Sequence, residues 1–304
     1  MRTPVIVMLL YVSAWLVFQS ASAQSVNGAE SQYNSLHATE RATFKLREQD
    51  QIKAITQRYE EVFPRFTPAG LRKAEAQSLH WLFKSAYLAA FYSRGERYLN
   101  DLRLTLFEME RREAATAEHH TLFYGALVGY RELDEARAFL SRHPTLDVEP
   151  TPAIDRVAAL KGGQVPVYGV DRYQHKLHEQ GLDISSGTHL VVVAHPLCSF
   201  SRSAMQAVEM HRDIVATLDG NVVWLAPVDL QLHFAQLQEW NRAHPEVIVV
   251  LARRRQDWPM IKSWSTPQFY LIRDGDVIDH FSGWPRDGSG RARLVQMLTS
   301  SGGR

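Results

Sequence analysis

The 304-residue chain holds a single cysteine, Cys198. That scarcity excludes an internal disulfide, a Cys-x-x-Cys dithiol and any metal site built from several thiolates. Charge of one sign is also missing. Thirty-four Lys and Arg against thirty-three Asp and Glu leave a net charge of +1, too weak a field to gather nucleic acid or an anionic bilayer. The chain has no Gly-rich phosphate loop, Gly-x-Ser-x-Gly elbow or His-Glu-x-x-His pair, which removes three common catalytic layouts. What is present is an ordinary globular balance, 45% hydrophobic and 22% charged, which excludes a disordered or fibrous chain.

The N-terminus reads as a secretory leader. Met1-Arg2-Thr3-Pro4 carries one positive residue, Val5–Phe18 is apolar apart from Ser13, and Ala21-Ser22-Ala23 offers a small-x-small cleavage site. The expectation is a signal peptide over 1–23, with an uncleaved anchor as the other reading. Nothing downstream is apolar enough to cross a bilayer, so no membrane span remains after cleavage. Export places the mature chain in the bacterial periplasm or another secretory space. Such spaces are oxidising, and a free thiol there can form mixed disulfides.

Residues 36–143 carry helical periodicity. Leu79, Leu82, Phe83, Ala86 and Ala90 share one face, as do Leu99, Leu102, Leu106 and Met109. Phe63-Pro-Arg-Phe-Thr-Pro-Ala-Gly70 and Ser93-Arg-Gly95 break the runs. Ala136, Leu140 and Pro144 loosely resemble half of a tetratricopeptide repeat, but no second copy occurs at that period. A helical domain is therefore expected, free to bind a protein partner or to dimerise. Residues 144–164 are rich in Pro and Gly and read as a linker, with one short helix at Ala153–Leu160. From 165 to 304 the pattern alternates strand and helix. Leu190–Ala194 is a continuous apolar run suited to a strand buried on both faces. Helical spacing follows from Phe200 to Leu218, then a strand at Val222–Leu225, a helix at Leu230–Ala243 and a strand at Val247–Leu251. Gln268–Arg273 and Val277–Phe281 flank Asp274-Gly275, a tight-turn pair, and so read as a hairpin. A last helix covers Arg291–Thr299. The fold class expected is α+β in two domains: all-α first, then α/β with a mixed central sheet.

Cys198 falls where the first buried strand meets its helix, in Ala194-His-Pro-Leu-Cys-Ser-Phe-Ser-Arg202. The free amides of a helix start favour thiolate over thiol, and an exposed thiolate attacks disulfides. The competing reading is an inert, buried cysteine.

Residues 165–304 resemble a thioredoxin-fold domain, closest to the periplasmic TlpA/ResA-like branch. The resemblance rests on a strand, Cys198-x-x-Ser201 in the Cys-x-x-Cys place, a helix, and Ser265-Thr266-Pro267 before the hairpin. It implies that Cys198 is the attacking cysteine and that Pro267 is the cis-proline shaping a groove. It further implies that Thr266 offers backbone hydrogen bonds to an extended segment, and that Arg202 is the usual basic residue after the motif. Two departures matter: Ser201 replaces the resolving cysteine, and Leu197 replaces the family tryptophan. In addition, Val192 stands where thioredoxins carry a buried acid.

Without a second thiol, a mixed disulfide must wait for an external thiol, so one-cysteine exchange and covalent capture remain open. The partner is then a protein client or a low-molecular-weight thiol. The alternative is a non-catalytic envelope binding or assembly protein reusing the fold. No cofactor is expected, and no metal site, although His195-x-x-Cys198 with Met205 has the donor types for Cu(I) or Zn(II). His195 could instead stabilise the thiolate as a cation or simply occupy the turn. His119-His120 reads as solvated, and Arg253-Arg254-Arg255 as a solvated loop rather than an anion site. Trp240, Trp258, Trp264 and Trp284 read as packing residues, with Trp264 near enough to Pro267 to line a groove.

Overall fold

The computed structural model describes residues 15–301 apart from residue 158, with side chains for 28–300. Residues 1–14 of the expected leader lie outside them. The chain divides into two compact units, Met1–Phe123 and Tyr124–Arg304, a helical part followed by an α/β part on a mixed sheet. Among the described residues no helix is long and apolar enough to cross a membrane.

The first unit contains α1 (Trp15–Thr43), α2 (Glu48–Val62), α3 (Pro68–Lys73), α4 (Ala76–Ser93), α5 (Glu96–Arg111) and the start of α6 (Ala117–Gly129). Leu99, Leu102, Leu106 and Met109 recur along α5 at spacings of three and four, and all are buried. They pack toward α4, whose Leu79, Phe83, Ala86 and Ala90 are fully enclosed. Each large apolar side chain so buried contributes about 1.5–3 kcal/mol, and this stripe fixes the helix pair. The Pro- and Gly-rich break holds its own short helix: Thr67 Oγ1 accepts the Gly70 amide at 3.1 Å, with Pro68 opening α3. At the second break Arg94, with φ 54°, ends α4 in the left-handed region, and Gly95 precedes α5.

His119-His120 is not solvated as the sequence suggested. His119 is buried, and its Nδ1 accepts the Thr116 amide at 3.1 Å, while its Nε2 meets His80 Nδ1 at 3.0 Å. His120 faces Glu110 at 3.1 Å. His119 sits three residues after Thr116, where a capping box places Glu or Gln, and performs the same back-bonding with an imidazole nitrogen.

The second unit adds α7 (Leu133–Arg142) and eight strands in the order β1-β3-β2-β6-β5-β4-β7-β8. The strands are β1 (Ala153–Asp155), β2 (Val165–Val170), β3 (Lys176–Leu182), β4 (Thr188–Val193), β5 (Val222–Ala226), β6 (Val249–Ala252), β7 (Gln268–Arg273) and β8 (Asp276–Ser282). The helices α8 (Ser199–Met210), α9 (Phe234–Ala243) and α10 (Ser289–Ser301) complete it. Strands β4, β5 and β6 run parallel, while β7 pairs antiparallel with β4 and β8 antiparallel with β7. On the other side β2 is antiparallel to β6 and to β3. The apolar run Leu190–Val193 is wholly enclosed. Val191 and Val193 enter a core with Leu225, Val250, Trp258, Tyr270 and Ile272, while the alternate Leu190 and Val192 are buried on the opposite face. A strand covered on both faces needs this unbroken hydrophobicity.

Three segments differ from expectation. The helix expected from Phe200 to Leu218 ends at Met210, and Arg212–Leu218 forms a separate 3-10 helix. Ala153–Asp155 is a strand paired parallel with β3, not the start of a helix. The β2–β3 hairpin was hidden in the sequence, because Pro166, Gly169 and Gly181 interrupt its apolar alternation. Arg131 supplies a further long-range tie within this unit. With φ 60° after α6, it is buried and donates to the carbonyls of Ala252 at 3.2 Å, Val128 at 3.0 Å, and Asp229 and Pro227 at 3.3 Å. One guanidinium thus satisfies carbonyls at the C-terminal ends of β5 and β6.

Candidate functional site

Strand β4 runs out at Ala194-His195-Pro196, and the chain turns so that Cys198 becomes the N-cap of α8 in an extended conformation. The Cys198 amide closes the turn on the His195 carbonyl at 2.9 Å. The sulfur is half-buried and directed at the first turn of α8, where backbone amides lack partners within the helix. The register of β4 with β7 pairs Val193 with Gln268, and so brings the segment before β7 against the segment after β4. There Cys198 Sγ lies 3.4 Å from the Thr266 carbonyl oxygen, and the Thr266–Pro267 peptide bond is cis.

Burial pushes the Cys198 thiol pKa up, but hydrogen bonds outweigh it and hold the group below its ordinary value. They come from the Thr266 side chain, the Ser201 amide and hydroxyl, and the Phe200 amide. The Thr266 carbonyl works the other way, because it can accept only from the protonated sulfur. Ser201 Oγ is fully enclosed and has no hydrogen bond of regular geometry, which leaves the sulfur as the group it can serve. The charge state of Cys198 is therefore set by dipoles rather than by a neighbouring ion.

The remaining expected residues do other work. Arg202 Nη1 donates to the Pro196 carbonyl at 3.1 Å and braces the turn. His195 Nδ1 accepts the Leu197 amide at 3.1 Å, which puts the ring proton on Nε2. Burial, then the nearby His233, holds His195 down to about 4 despite the opposing Asp229. At neutral pH it is uncharged, so the reading of His195 as a cation beside the thiolate is corrected. The two imidazoles stand edge to face at 5.4 Å between ring centres. Among the described residues neither Cys198 nor His195 joins a cluster of three metal-ligating side chains, and Met205 is fully buried. A metal at His195 Nε2 would also require the proton to move to Nδ1, against the Leu197 amide.

Leu197 and Phe200 flank the cysteine with about half of their surface exposed (52% and 47%). Trp264 does not line this face: it is buried beneath the Arg255 guanidinium. Trp240, Trp258 and Trp284 are buried as well. Within the Arg253–Arg255 run, Arg253 is bound to Glu179 at 2.9 Å and Asp257 at 3.5 Å, while Arg254 is exposed.

Two residues of the site were missed from sequence. His233 reaches His195 only through the fold, and no local signal marks it. Gln268 did leave a signal, being a polar residue at the head of the otherwise apolar, buried β7. Comparison of the chain with protein-family models, curated proteins and solved structures finds no match.

Proposed function

We propose that the α/β unit is a thioredoxin-like domain using Cys198 alone for monothiol–disulfide exchange or mixed-disulfide capture, in an oxidising space reached through the N-terminal leader. The observation that carries this reading is the Cys198 sulfur at the start of α8, 3.4 Å from Thr266 next to a cis proline. In the exchange step the Cys198 thiolate attacks one sulfur of a client disulfide. A Cys198–client disulfide forms, and the second client sulfur leaves as thiolate and takes a proton from water. Ser201 cannot displace the adduct, so an external thiol, from a protein or a small molecule, must attack it and regenerate Cys198. No net electrons are gained or lost by the domain. The helical unit is proposed to hold a protein partner.

A second reading, a non-catalytic envelope binding protein, draws on the missing second thiol and on exposed Leu197 and Phe200. Alkylation rate against pH separates the two. A midpoint below about 8.5, together with disulfide-linked adducts that vanish in Cys198→Ser, supports exchange. A midpoint at or above that value overturns it in favour of the binding reading.

A further inference from the structure

The short segment Ser263–Thr266, which presents Thr266 to Cys198, has no regular secondary structure of its own. It is held by side chains. Gln268 Nε2 donates to Ser265 Oγ at 2.5 Å, and Ser265 Oγ lies 3.0 Å from Ser263 Oγ. The Tyr270 hydroxyl donates to the Ser263 carbonyl and accepts the Ser263 amide, both at 3.3 Å. On its other side Gln268 Oε1 lies 3.0 Å from His280 Nε2 on β8. With its amide nitrogen on Ser265, Gln268 presents an acceptor there, so His280 must be the donor. The His280 ring also stacks on Tyr270 at 4.7 Å. Gln268 is 5% exposed, and a buried amide is costly unless both ends are satisfied. Here both are.

We propose that Gln268 is a positioning residue for Cys198. It fixes Ser265, and through it Thr266, relative to the sulfur, and it anchors that loop to the edge strand β8. A leucine of similar size would fill the space but release Ser265, and the Thr266 side chain would lose its fixed hydrogen bond to the sulfur, which is what favours the thiolate. The inference rests on the proposed thiol reading.

The test measures the alkylation midpoint of Cys198 and the urea-unfolding midpoint in the full chain, in wild type, Gln268→Leu and Ser265→Ala. Ser265 is exposed, so its replacement keeps a folded variant in hand if Gln268→Leu fails to fold. The expected result is an upward shift of the alkylation midpoint by about half a pH unit in the variants. That is roughly a threefold loss of thiolate at a pH below both midpoints. A lowered wild-type midpoint that neither variant moves, even with a fallen urea midpoint, overturns the positioning role and leaves the thiol reading standing. A wild-type midpoint that is not lowered overturns both.

Discussion

The Glu149 carboxylate accepts two backbone amides at once, His233 through Oε2 at 2.9 Å and Phe234 through Oε1 at 2.7 Å. These amides open α9, where His233 stands in the left-handed region at φ 51° with no side-chain cap of its own. A residue 84 positions earlier therefore does what a local Ser or Asp does in most helices. Glu149→Ala is expected to cost about 1–2 kcal/mol of stability in urea unfolding. Glu149→Gln keeps one acceptor oxygen and should cost less. An unchanged midpoint in Glu149→Ala would show the cap to be redundant.

Acid should weaken the α/β unit through His195. Its pKa lies near 4 in the folded chain against an ordinary 6.5, so the unfolded chain binds the extra proton between those values. The contribution is fully present above pH 6.5 and is lost as the pH falls toward about 4. Its ceiling is about 3 kcal/mol. His195→Gln removes the titration, and stability measured from pH 7 to 4 should then fall less steeply. An identical slope in wild type and variant would contradict the half-buried, neutral imidazole.

The helical unit carries its own acid-sensitive pair. Burial is the largest influence lowering both His80 and His119, with Lys84 adding to the effect on His80 and His80 on His119, against Glu118. The geometry admits one proton arrangement: His119 Nδ1 accepts from Thr116, and His119 Nε2–H donates to His80. Stability is therefore complete above the ordinary imidazole value and declines as pH falls through it. His119→Gln keeps an acceptor for the Thr116 amide, as in a standard capping box, while removing the titrating group. The variant should fold at pH 7 and lose less stability than wild type at pH 5. Equal losses would place the acid sensitivity elsewhere.

How much of this was readable in the chain depends on how local each signal is. The helix stripes of α4 and α5, the buried run of β4 and the Asp274-Gly275 turn all declare themselves within a dozen residues, and the structure has them. Cys198 at a helix start follows from the apolar run ending four residues before it. By contrast, Arg131 binding carbonyls about 100 residues away, Glu149 capping α9 and His233 reaching His195 are tertiary facts without local periodicity. His119 looked solvated because two adjacent histidines share no face pattern; only its contact with His80 across 39 residues explains its burial.

The pairing of Val193 with Gln268 has a consequence for the time course of folding. Cys198 and Thr266 are 68 residues apart, and they meet only after β7 has docked in register beside β4. Such distant pairings close late, because chain entropy opposes them until the intervening segment is ordered. A slip of two residues keeps every side chain on its proper face yet moves Thr266 by about 7 Å, out of reach of the sulfur. A partly folded chain in which β7 has not docked thus carries Cys198 without its Thr266 neighbour. The contact between the Cys198 sulfur and Thr266 is a property of the finished sheet, so the surroundings of the sulfur are complete only when β7 lies in register beside β4.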